Sequence, residues 1–158
     1  MARPFTVLAL VSDPALARQV KDTLASCADA VRMSESASLA WSQLERQPAT
    51  LLMVDWTGAR TDREDLCRRV RASERLDGMP ILALVAESAG HTVRHVLDAG
   101  ADDFLLVPFT ALALENRLAA IARRIRGAEW AAEAKAAALA ADYARHADEL
   151  TAARNEAM

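Results

Sequence analysis

The sequence predicts a doubly wound α/β domain with a five-stranded parallel sheet, followed by a long helical extension. Three observations carry this. Five short, mostly apolar runs alternate with stretches of helical periodicity; turn residues punctuate them; and the last thirty or so residues become alanine-rich, with no proline and no glycine after Gly127. Runs that are apolar on both faces suit parallel strands covered by helices on either side. Right-handed crossovers between such strands gather the loops of interest at the carboxyl edge of the sheet.

The bulk properties narrow the function classes. The 158 residues are 53% hydrophobic and 26% charged, which supports a packed core and excludes general disorder. A net charge of −3 leaves no basic surplus for phosphate backbones, so direct nucleic-acid binding is not expected. Cys27 and Cys67 have no metal-ligand spacing and fit reduced thiols of a cytoplasmic protein. Neither a secretory signal nor an apolar run of the ~18 residues needed to span a bilayer is apparent, so no membrane segment is expected.

Residues 5–11 (Phe-Thr-Val-Leu-Ala-Leu-Val) predict the first strand, bounded by Ser12, Asp13 and Pro14. Leu16, Val20 and Leu24 then recur every four residues between Arg18, Lys21 and Asp22, an amphipathic helix capped by Asp13 with Pro14 in its first turn. Residues 30–33 predict a short second strand, and 34–44 a helix using Leu39, Trp41 and Leu44. The third strand, 50–54, ends at Asp55, with Trp56 expected to be exposed near the rim. A helix over 62–73 turns Leu66, Cys67 and Val70 inward. Pro80 introduces the fourth strand, 81–85, and a short helix over 91–99 closes at Gly100, whose lack of Cβ suits a left-handed cap. The fifth strand, 104–107, runs into Pro108 and Phe109, and a last helix starts near Thr110 with Leu112, Leu114, Leu118 and Ile121.

The tail predicts continuation of that helix. Residues 127–158 hold 14 alanines, three Lys or Arg and six Asp or Glu. Alanine favours helix. Leu118, Ala122, Ile125, Glu129, Ala132, Ala136, Leu139, Tyr143, His146, Leu150, Ala153 and Ala157 follow spacings of four and three, a heptad stripe. The stripe is diluted by alanine and by Glu129 and His146, so it predicts a weak parallel coiled coil or a bundle helix, with a single exposed helix as the alternative. Trp130 and Tyr143 are expected to anchor its packing. The predicted division is a domain over 1–125 and a pairing segment over 126–158, cut before an output domain.

The fold rule brings Asp13 and Asp55 to one rim, although they lie 42 positions apart. Ser12-Asp13-Pro14-Ala15 cannot imitate a glycine-rich dinucleotide or P-loop turn, which argues against a nucleotide enzyme. His91 and His95 have a spacing that can hold metal, but no third ligand is evident nearby.

An ordered set of residues resembles the response-regulator receiver family over roughly residues 4–125. It comprises Val11-Ser12-Asp13, Val54-Asp55, and Gly100-Ala101-Asp102-Asp103-Phe104-Leu105-Leu106-Val107-Pro108-Phe109. The resemblance implies a flavodoxin-like strand order 2-1-3-4-5. It also implies a phosphoryl acceptor at Asp55, fed by a histidine kinase or phosphotransfer protein. Magnesium would be held by carboxylates at the positions of Ser12 and Asp13, by Asp55 and by the backbone carbonyl at the position of Trp56. A hydroxyl at the position of Val85 and an ammonium at that of Val107 would contact the phosphoryl group, with an aromatic switch at Phe104.

Here the hydroxyl and the ammonium are replaced by valines, and Ser12 replaces one acid. The spacings stay intact, 30 residues from Asp55 to Val85 and 22 from Val85 to Val107. Phosphoryl transfer needs a nucleophile and positive charge on the equatorial oxygens, and losing one such donor can cost ~3 kcal/mol. Asp55 is then a residual acceptor, a ligand for something else, or a carboxylate without chemistry. Any magnesium site is weak or absent.

The leading expectation is a pseudo-receiver that regulates an attached output module, a histidine kinase by preference, through protein contacts and a homodimer of the C-terminal helix. The chain itself is expected to have no kinase activity. The alternatives are a phosphoacceptor receiver controlling a diguanylate cyclase or other output, and a stand-alone interaction module.

Overall fold

A computed structural model describes residues 4–57, 61–86 and 92–156. Ten elements alternate along the chain: β1 (Thr6–Leu10), α1 (Pro14–Leu24), β2 (Ala30–Ser34), α2 (Ala37–Arg46), β3 (Leu51–Asp55), α3 (Thr61–Ala72), β4 (Ile81–Ala86), α4 (Thr92–Asp98), β5 (Asp103–Val107) and α5 (Ala111–Glu156). The strands form one parallel sheet in the order β2-β1-β3-β4-β5. The fold class and strand order follow the expectation from sequence.

The central strands are buried on both faces. Leu8, Leu10, Leu52, Val54, Ala83 and Val85 form one cluster with Ala37, Ala40 and Leu44 of α2, Leu66, Cys67 and Val70 of α3, and Val96 of α4. The alternate residues Val7, Ala9, Met53, Leu82 and Leu84 are buried too, as are Leu16, Val20 and Leu24 of α1 and Leu114 of α5. This two-sided burial is why the strands show no polar alternation.

Helix starts obey local chemistry. The Asp13 carboxylate accepts from the Leu16 N–H at 3.1 Å and Pro14 occupies the first turn of α1. In α2 the Ser36 hydroxyl accepts from the Leu39 N–H at 3.2 Å, so the helix starts later than residue 34. That capping selects Ala37, Ala40 and Leu44 for the sheet and leaves Leu39 exposed, correcting its expected inward position. Trp41 is half-buried; its indole N–H donates to Glu45 at 2.8 Å, and the Arg69 guanidinium sits 4.2 Å from the ring centroid. Leu112 also departs from expectation: it is exposed, while Leu114, Leu118 and Ile121 are buried.

Gly100 has φ +117°, and a Cβ there would lie 2.8 Å from Cγ of Arg71. That arginine binds the loop around it. Its guanidinium donates to the carbonyls of Gly100 (2.9 Å), Met79 (2.8 Å) and Asp77, and pairs with the Asp102 carboxylate at 2.7 Å. Asp102 accepts in turn from the Ile81 N–H at 2.7 Å, at the entry to β4.

The chain divides into two compact units, one ending at Ala120 and the other beginning at Ile121. The second unit is helical, and its large apolar side chains Trp130, Leu139, Tyr143 and Leu150 are exposed.

Candidate functional site at the carboxyl rim

The rim is built where β1 and β3 end side by side. Leu10 pairs with Val54, so Ser12 and Asp55 emerge from neighbouring strands. Asp55 is only 7% exposed. One carboxylate oxygen, Oδ1, accepts from the Thr57 N–H at 2.9 Å and from the Thr57 hydroxyl at 2.6 Å. Trp56 is buried against the core cluster rather than exposed, because its N–H extends the ladder to the Leu84 carbonyl at 2.7 Å and turns the indole inward.

A residue with no expected role, Arg63, is central to the rim. It is 1% exposed, the one buried cation among the described residues. From the first turn of α3 its Nε donates to the Asp55 backbone carbonyl at 3.3 Å and its Nη1 to Asp62 at 3.2 Å, while its Nη2 donates to the Ser12 hydroxyl. The Ser12 hydroxyl in turn donates a hydrogen bond to the Glu35 carbonyl at 3.1 Å. Serine therefore acts as an acceptor for the guanidinium and a donor to the loop after β2. A signal for Arg63 was present: Leu66, Cys67 and Val70 define the inward face of α3, and one turn back along that face lies residue 63.

The other positions fall where the strands put them. Val85 is fully buried in the core cluster, with Phe104 packed half-buried against the same cluster. Val107 is half-buried beside Ala86, and Pro108, which follows a cis peptide, is exposed. Asp103 accepts both contacts of the Arg117 guanidinium, at 3.1 and 3.0 Å, tying β5 to α5. His91 lies outside the described residues. His95 bonds Glu64 at 2.8 Å. Among the described residues, no group of three His, Cys, Asp or Glu side chains is placed to hold a metal ion.

The donors assigned to magnesium by resemblance have other partners here. Asp13 caps α1, Asp55 Oδ1 is held by Thr57, and a buried guanidinium lies between Ser12 and the Asp55 carbonyl. This set does not fit a divalent ion while Arg63 stays in place.

In the helical unit, Ala132, Ala136, Leu139, Tyr143, His146 and Leu150 are exposed, Ile125 is half-buried, and His146 lies 3.9 Å from Glu149. Leu118 is buried within the first unit. No described helix is long and apolar enough to cross a membrane.

No family model matches the chain. Among known proteins, chemotaxis protein CheY1 of Helicobacter pylori is 30% identical over 114 residues, covering 70% of this chain and 92% of its own. The chain belongs to the response-regulator receiver family. The receiver is also 33% identical over 120 residues to response regulator RppA of Synechocystis, covering 75% of this chain but spanning only 50% of that relative's length. Among solved structures, the receiver domain of sensor histidine kinase PA1611 from Pseudomonas aeruginosa superposes with a TM-score of 0.65 at 25% identity, covering 73% of this chain and 95% of that one. That structure has a magnesium ion coordinated in its active-site cleft. The sheet and the relatives agree that this receiver is a two-component signalling domain.

Proposed function

We propose that this receiver is an atypical one, whose rim does not run the usual phosphorylation switch and which regulates an attached output module through protein contacts. In this reading the module is a histidine kinase, the working form is a cytoplasmic homodimer paired through α5, and magnesium binding at the rim is weak or absent. The observation that carries the reading is the apolar wall where phosphoryl contacts would be needed. Val85 is fully buried in the core, and Val107 is half-buried on β5 beside Ala86, the residue that follows Val85. Neither side chain can donate a hydrogen bond or supply charge to a phosphoryl oxygen.

The pairing role draws support from the second unit. Leu139, Tyr143 and Leu150 keep the four-and-three spacing and stand exposed on a continuous helix. A helix with such a stripe stabilises itself by covering it with another helix. A domain over 1–125 followed by a pairing segment over 126–158 is the working division.

Two measurements test the proposal. The full chain is incubated with magnesium and a small-molecule phosphodonor, and its intact mass is read. The expected result is an unchanged mass. A gain of one phosphoryl group that disappears in Asp55→Ala would replace this reading with a phosphoacceptor receiver, since Asp55 retains a carboxylate at the end of β3. Solution mass across a concentration series tests pairing: dimer is expected, and a monomer at every concentration removes the homodimer.

A further inference from the structure

We propose that the Arg63 guanidinium is the resident cation of the rim, occupying the place where a receiver otherwise recruits a divalent metal, so that this edge of the sheet stays blind to magnesium. The inference rests on the assignment of the rim as an altered receiver site, and goes beyond it by naming what fills that site.

Four observations support it. Arg63 is 1% exposed, and a buried charge persists only when its surroundings compensate it. Its donors reach two strand ends at once, the Asp55 carbonyl after β3 and the Ser12 hydroxyl after β1, across 51 residues of sequence. The side chain leaves α3 on the same face as the buried Leu66, Cys67 and Val70, so packing fixes its direction. Finally, Ser12 supplies a neutral acceptor, which suits one guanidinium N–H and is a poor ligand for a hard divalent ion.

The charge logic is direct. A guanidinium stays protonated at any pH the protein experiences, so this cation is permanent. A divalent ion entering beside it meets a like charge in a poorly solvated site, where repulsion is strong. Tethering also removes the dependence on metal concentration that a recruited ion imposes. The Asp55 backbone carbonyl thereby gains a cationic donor that cannot be chelated away.

The test titrates manganese into the full-length chain, reading water-proton relaxation, and magnesium, reading the thermal midpoint. The wild-type chain is expected to give no relaxation enhancement and no midpoint shift at millimolar metal. Ser12→Asp is expected to stay equally blind, because the new carboxylate pairs with Arg63. Adding Arg63→Ala to Ser12→Asp should open the site, giving a relaxation enhancement and a magnesium-dependent rise of several degrees.

A metal response from the wild-type chain or from Ser12→Asp overturns the proposal. So does a double variant that keeps its far-UV circular dichroism yet ignores metal. If the double variant does not fold, the first two titrations still decide. Phosphorylation is read separately by intact mass, so failure of the metal inference and failure of the atypical-receiver reading are distinguishable.

Discussion

Burial pushes the Cys67 thiol up to about 12, against the opposing pull of the Arg71 cation. The folded thiol therefore keeps its proton at pH values where an unfolded cysteine, near 9, has lost its own. The unfolded state then binds fewer protons, so stability is fully present below about pH 9 and falls as pH rises toward 12. The same burial makes Cys67 inert. A maleimide reagent at pH 8 should label only the half-buried Cys27 in the native chain and both thiols after denaturation. Native labelling of Cys67 would contradict its burial. Arg71 works at the same scale. Arg71→Ala removes bonds to Gly100, Asp77 and Met79 and the pair with Asp102, and should cost roughly 2–3 kcal/mol in urea unfolding. Arg71→Lys should recover little of this, since an ammonium cannot fork among four spread acceptors. Neither Arg63 nor Arg71 stands out in the sequence. An arginine inside a helical run looks like a solvated charge until its distant acceptors are placed.

At the scale of elements, helix starts and stops are set by single residues. Ser36→Ala removes the cap of α2 and should lower stability by about 1 kcal/mol, measured by thermal or urea unfolding. A loss much smaller than this would mean water serves the Leu39 N–H equally well. Gly100→Ala forces a side chain into the left-handed region and against Arg71, so it should cost at least ~1 kcal/mol. Restoring space with Arg71→Ala should not rescue it, because the φ strain remains. Most strands and helices were legible because their apolar periods are long and punctuated by Asp13, Pro14, Pro80 and Gly100. The inward face of α2 was less so. Leu39 looked like core from its type, yet the register set by Ser36 hands the sheet two alanines and Leu44 instead.

At the scale of the whole molecule, the question is what covers the exposed stripe of the helical unit. Leu139→Asp combined with Leu150→Asp places charge at two stripe positions while leaving the receiver core untouched. The double variant should shift the solution mass from dimer to monomer and reduce helix content selectively, as seen by ultracentrifugation and circular dichroism. Unchanged mass would show that copies associate elsewhere or not at all.

The receiver-like sheet followed by a long helix was written in the sequence itself. Apolar periods of strands and helices are local, and the parallel fold then places every strand end on one rim, Asp13 and Asp55 included. What only the tertiary structure decided is the content of that rim. The side chain filling it, Arg63, comes from α3, while its acceptors lie at Ser12 and at the Asp55 carbonyl. Periodicity reports where apolar groups are buried. A buried charge becomes intelligible only once the folded chain brings its partners within hydrogen-bonding distance.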